Sequence, residues 1–190
     1  MSTHTNHSEL NEVYFCTITC YQWLPLFEEA QAYDAVYNWF AHLIKDNCAI
    51  LSYVLMPNHV HCLLFPTNKL KPLNHLLSEG KRFMAYAIVK NLKNKDKTAL
   101  LHTLQKGVQE NEKKKGKKHQ VFRLSFDARK CLDEQMVEQK LEYIHHNPVS
   151  GKWNLAKKFV EYRHSSAAFY ELGVKNKYIT HYKNVDGKTG

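Results

Sequence analysis

Two short stretches of the 190-residue chain carry side chains whose types and spacing could do chemistry. The first is LMPNHVHCLL, residues 55–64. An apolar strand has no need of histidine, which loses hydration on burial and must then find hydrogen-bond partners. In an extended segment, side chains at i and i+2 project from one face. His59 and His61 therefore stand side by side and could hold one divalent cation through two imidazoles. Val60, Cys62 and Leu64 would face the other way, against the core. Taken alone, the pair reads first as two half-exposed residues on one sheet face. The second stretch is LEYIHHNPV, residues 141–149. Val137, Leu141 and Ile144 form a buried helical stripe, and Tyr143 falls to one side of it. Asn147 lies one turn after Tyr143 on the same face, and Lys140 lies three residues before it. That combination offers a phenol nucleophile, an amide donor for a metal, and an ammonium able to stabilise a phenolate or a phosphate. Taken alone, it also describes a boundary tyrosine above an ordinary helix end.

The elements that must position these groups follow from hydrophobic periodicity. Residues 13–22, VYFCTITCYQ, read as a strand, being rich in β-branched and aromatic residues. Residues 26–48 carry Ala32, Val36, Trp39, Phe40 and Leu43 at helical spacing. Residues 49–56 read as a strand, Pro57-Asn58 as a tight turn, and residues 59–65 as the returning strand of a hairpin. Pro72 suits the first turn of a second helix, in which Gly80 costs about 1 kcal/mol relative to alanine. The lysine-rich residues 90–118 are expected to hold an exposed, mobile loop. Residues 120–131, QVFRLSFDARKC, read as a fourth strand. Asp133 then caps a helix running from Glu134 to about Asn147, which Pro148 stops. This order predicts an α+β fold, a ferredoxin-like βαββαβ sheet with an added C-terminal helix. A single domain is expected over residues 1–190, with a core at 12–149 and a C-terminal extension at 150–190. The extension reads as a polar tail anchored by Trp153, Phe159 and Phe169.

Composition narrows the class of function. The formal charge is +9, which makes a polyanionic partner, nucleic acid above all, a natural expectation. No run approaches the ~18 apolar residues of a membrane-spanning helix. The first ten residues are polar and lack the apolar stretch of a signal peptide, so a cytoplasmic location is expected. The five cysteines, Cys16, Cys20, Cys48, Cys62 and Cys131, form no CxxC pair. They read as reduced buried thiols and not as a zinc site or a disulfide frame.

Taken together, MPNHVHCLL and YIHHNPV resemble the single-tyrosine transposases of the HUH endonuclease superfamily, and within it the REP-associated tyrosine transposases. The resemblance extends to VFRLSFDARKC, with Phe122 where that family usually has tryptophan, and to EYRHSSAAFY, residues 161–170. It covers about residues 12–170. It implies that His59 and His61 are metal ligands, that Tyr143 is the nucleophile, and that Asn147 is a further metal ligand. It assigns no ligand role to His145 or His146. The implied cofactor is a divalent metal, Mg2+ or Mn2+. The implied partner is single-stranded DNA bearing a hairpin, cut and rejoined through a 5′-phosphotyrosine intermediate. Transesterification conserves the phosphodiester bond energy, which is what a tyrosine nucleophile offers over water. Lys81, Arg82, Lys113, Lys114 and Lys115 are candidate phosphate contacts, and the tyrosines could stack unpaired bases. The resemblance leaves open whether the chain acts alone or as a homodimer. Two other readings also stay open. One is a hairpin-binding protein that no longer cuts; the other is a metal-dependent hydrolase in which Tyr143 only orients substrate.

Overall fold

In the computed structural model, which describes residues 9–124 and 127–185, four antiparallel strands lie in the order β2-β3-β1-β4. These are β1 (Tyr14–Thr19), β2 (Cys48–Met56), β3 (His59–Pro66) and β4 (Asp127–Lys130). This is the strand order of a ferredoxin-like sheet, as the element order predicts. Side chains alternate across it. Tyr14, Cys16, Ile18, Val60, Cys62 and Leu64 face one way. Phe15, Leu63 and Phe65 face the other. Both faces are covered, which is why β2 and β3 read as near-continuous apolar runs.

The first face packs against α2 (Tyr33–Lys45) and α3 (Leu73–Asn94). The helical segment expected at residues 26–48 is broken in two, with the single turn α1 (Leu26–Glu29) preceding α2. Gln31, at φ 48°, sits at the break. Pro72 precedes the first turn of α3 and caps it. Gly80 has a structural reason to be glycine: a Cβ there would lie 2.4 Å from the Trp39 indole nitrogen. The second face packs against α6 (Glu134–His146) through Val137, Leu141 and Ile144. Asp133 caps α6, its Oδ1 accepting from the Met136 N–H at 2.7 Å. A bulge in β2 between Ile50 and Ser52 turns both Leu51 and Ser52 toward α6.

Three expectations are corrected. Residues 90–118 are not a loop: α3 continues to Asn94, and α4 (Thr98–Lys106) and α5 (Glu110–Lys114) follow. Leu104 is buried and Leu100 and Leu101 pack on the core, so helical spacing of leucines outweighs the lysine content. The fourth strand is short. Only Asp127–Lys130 pair with β1, Phe122 makes a separate bridge to Cys20, and residues 125 and 126 lie outside the described residues. The C-terminal segment is not a solvated tail. Residues 164–166 and 179–180 run along the outer edge of β2. The Leu55 N–H donates to the His164 carbonyl at 2.8 Å, Ser166 N–H to Tyr53 at 3.0 Å, and Thr180 N–H to Ile50 at 3.0 Å. The hydroxyls of Tyr162 and Tyr170 donate to the Leu55 and Leu51 carbonyls. The segment thus shields an edge that would otherwise present unpaired backbone groups. Between its two runs sits the short helix α7 (Ala167–Leu172). All five cysteines are free and buried, as expected. Among the described residues, no helix is long and apolar enough to cross a membrane.

Candidate active site

The face of the sheet that carries α6 ends, on β1 and β3, in polar residues. Antiparallel register sets Thr17 opposite His61 and Thr19 opposite His59. The imidazoles are 4.5 Å apart, centroid to centroid, and only 5% and 6% exposed. They are not the half-exposed polar face that the sequence alone allows. Burial holds His59 down to about 4, and burial, aided by His59 and the Lys140 ammonium, holds His61 well below its ordinary value. Both rings are therefore neutral near pH 7, the form that offers a lone pair to a cation.

Both rings are held from behind through Nδ1. Nδ1 of His59 lies 2.6 Å from the Asn58 side-chain oxygen, which can only accept, so this nitrogen carries the proton. Nδ1 of His61 lies 2.9 Å from the Thr17 hydroxyl. With both Nδ1 atoms engaged, the two Nε2 atoms are left for a ligand, the arrangement in which an outer hydrogen bond orients a metal-binding histidine.

Helix α6 brings the remaining groups. The Tyr143 ring meets His61 edge-on at 5.2 Å and Phe15 at 5.9 Å, and the residue is 51% exposed. Phe15 stacks on His61 at 5.2 Å, so it braces both rings. The Lys140 ammonium sits 5.0 Å from the Phe15 centroid and 6.0 Å from that of Tyr143. Asn147, the C-cap of α6, lies beside the His59 ring. Tyr143, His59, His61, Asn147 and Lys140, read from two stretches some 80 residues apart, thus meet at one place. Among the described residues, no set of three or more His, Cys, Asp and Glu is arranged to hold a metal. A cation at this place would have two imidazoles and the Asn147 amide as protein donors, with open positions left over. Two nitrogens and one oxygen fit a manganese or magnesium ion that takes its other ligands from water and phosphate.

The histidines between Tyr143 and Asn147 point elsewhere. His145 is buried against the serines, with Nε2 2.9 Å from the Ser166 hydroxyl and 3.3 Å from that of Ser52. His146 packs against Phe159, ring centroids 4.1 Å apart and tilted by 36°. The candidate phosphate contacts divide. Lys81 turns inward and donates to the Arg123 carbonyl at 2.7 Å; burial lowers its pKa to about 8. It braces the 123–124 segment and is not held out to solvent. Arg82 is exposed, beside Phe83. On α5, Lys113 and Lys115 pair with Glu110 and Glu112, while Lys114 lies exposed between them. Such exposed pairs are weak, about 0–1 kcal/mol, and a polyanion can displace them.

Spacing within one segment could not reveal Thr17, Asn58 and Phe15. Thr17 and Phe15 act across the β1–β3 register, and Asn58 reads as turn chemistry until its carbonyl is seen on His59. Period-two alternation does place Phe15 and Thr17 on one face of β1, but nothing in the sequence says which strand they meet.

No family model matches the chain, and no curated protein matches it. A solved structure does: a REP-associated tyrosine transposase bound to a REP hairpin, at 15% sequence identity and a TM-score of 0.64. The alignment covers 99% of this chain and 98% of that one. The two proteins share a fold over nearly their whole length.

Proposed function

We propose that the chain is a metal-dependent tyrosine transposase of the HUH type, which cuts and rejoins single-stranded DNA next to a hairpin. The observation that carries this reading is the contact between the Tyr143 ring and the His61 imidazole, with Nε2 of both histidines left open beside an exposed phenol. The shared fold with a transposase bound to a hairpin adds to it.

The Tyr143 phenol oxygen attacks the scissile phosphorus. An O–P bond forms to tyrosine, the P–O3′ bond breaks, and the departing 3′ oxygen takes up a proton. The DNA 5′ end remains on Tyr143 until a second 3′-hydroxyl displaces it, restoring the phenol. His59, His61 and Asn147 would hold the cation, which when bound draws charge from the phosphate oxygens. Lys140 stands 6.0 Å from the Tyr143 ring centroid, where its charge would attract the scissile phosphate. Exposure of Tyr143 admits a polymer that could not enter a closed pocket. Arg82 and the α5 lysines supply diffuse attraction for the phosphate backbone, weakening with salt.

The test is incubation of labelled hairpin-bearing single strands with Mg2+ or Mn2+, followed by a denaturing gel. A protein–DNA adduct is expected, lost in Tyr143→Phe. Undiminished cleavage by Tyr143→Phe would remove the covalent mechanism.

A further inference from the structure

A cavity lies beside the histidine pair, not over it. It has a volume of about 360 Å³ and is lined by Tyr21, Trp23, Gly107, Gln120 and Arg123 among others. That is near the low end of ligand-binding pockets, ~300–1,000 Å³. Its lining combines a ring wall with polar groups. Trp23 is 51% exposed, and the Arg123 guanidinium lies 5.9 Å from its ring centroid. At the opposite wall the end of α4 comes so close to Tyr21 that a Cβ on Gly107 would lie 2.6 Å from its ring.

Gln120 adds a separate observation. It is 4% exposed, and its amide nitrogen donates to the Phe122 carbonyl, which fixes the orientation of the group. Its Oε1 is buried and has no hydrogen-bond partner. Buried acceptors are almost always satisfied. An unpartnered one in the lining of an aromatic pocket points to a ligand that brings a donor. The pocket is also mechanically joined to the histidine pair. The Asn58 side chain donates to the Trp23 carbonyl at 3.2 Å while its oxygen receives the His59 Nδ1 proton at 2.6 Å. The Trp23 ring meets the His59 ring edge-on at 5.8 Å.

We infer that this pocket takes one unpaired nucleobase of the strand whose phosphate lies at His59 and His61. Trp23 stacks on the base face, and Gln120 Oε1 accepts from an amino or imino hydrogen on its edge. Arg123 lies beside the base, where it meets an adjacent phosphate. The inference rests on the proposed single-stranded DNA substrate and names the part of the chain that reads it. A flat aromatic ring, a buried acceptor and a cation match the three chemical faces of a nucleotide.

The experiment uses equilibrium binding, so that it does not depend on cleavage. A hairpin oligonucleotide is selected for binding to the full chain from a library with randomised single-stranded flanks. Single abasic positions are then walked through its flanks, and binding is read by fluorescence anisotropy. One position is expected to weaken binding by about 5- to 150-fold, the range of a lost base–aromatic stack. In Trp23→Ala that same position loses its effect while the others keep theirs, and Trp23→Phe restores most of it. Gln120→Met weakens binding of the intact base without changing its abasic counterpart. Multiplicative losses at every position in Trp23→Ala, with no coupled site, would overturn the inference, as would failure to bind any single strand. Absence of an adduct in the cleavage assay, with the coupling intact, would instead count against the transposase reading alone.

Discussion

Thr17 has no reactive group of its own, yet its hydroxyl decides which nitrogen of His61 faces the site. Hydrogen-bonded to Nδ1 at 2.9 Å, it holds the ring from behind and leaves Nε2 without this partner. Thr17→Val keeps the shape and the strand preference but removes the hydrogen-bond partner. Loss of such an outer hydrogen bond typically costs 10- to 100-fold in metal affinity or activity. We expect Mn2+ affinity, followed by calorimetry, to fall by about that much while the urea midpoint stays close to wild type. Equal Mn2+ affinity in the two proteins would show that Phe15 stacking alone orients His61. The residues proposed to do chemistry were legible because each is a short-range pattern: two histidines at strand spacing, and a tyrosine and an asparagine one helical turn apart. Thr17 and Phe15 were not, because their partners are 44 and 46 residues away in the chain and register is a property of the folded sheet.

Elements raise a different question, namely why each begins, ends or bends where it does. Asp133 was legible as a cap because an aspartate ahead of a helical stripe has a local meaning, and α6 starts there. Gly80 was not legible. By propensity alone, Gly80→Ala within α3 gains about 1 kcal/mol. In the folded protein its new Cβ would sit 2.4 Å from the Trp39 indole, whose N–H donates to the Leu76 carbonyl. Overpacking of this kind costs about 1–3 kcal/mol, and the indole would also lose its acceptor. The net effect is expected to be destabilising, with a lower urea midpoint and an unchanged m-value. A midpoint at or above wild type would mean that α2 and α3 separate readily. The lysine-rich helices α4 and α5 were missed for the opposite reason. In α4, buried Leu104 with Leu100 and Leu101 against the core outweighs charge repulsion.

At the scale of the whole molecule, the C-terminal segment and the site share one physical trait, imidazoles kept neutral by burial. His164 stacks on Tyr33 at 4.1 Å and meets the Tyr37 hydroxyl at 3.0 Å, closing the segment over β2. Burial first, and the Arg163 charge second, bring it down to about 4, the same value as His59 and His145. An unfolded chain protonates these rings as pH falls through ~6.5. The folded chain does not until about 4. Across that window the unfolded state binds more protons, so stability rises with pH and is lost on acidification. The metal-free protein is therefore expected to show a urea midpoint that falls steadily from pH 6.5 to 4. His164→Phe keeps a ring to stack on Tyr33 and removes one titration, so its midpoint should fall less steeply. The difference will be a fraction of the full ~1.4 kcal/mol per pKa unit, because His164 is partly solvated. A wild-type midpoint that is flat across this range would mean that water reaches these rings in the folded protein. The burial that keeps His59 and His61 neutral and open to a cation would then lose its physical basis.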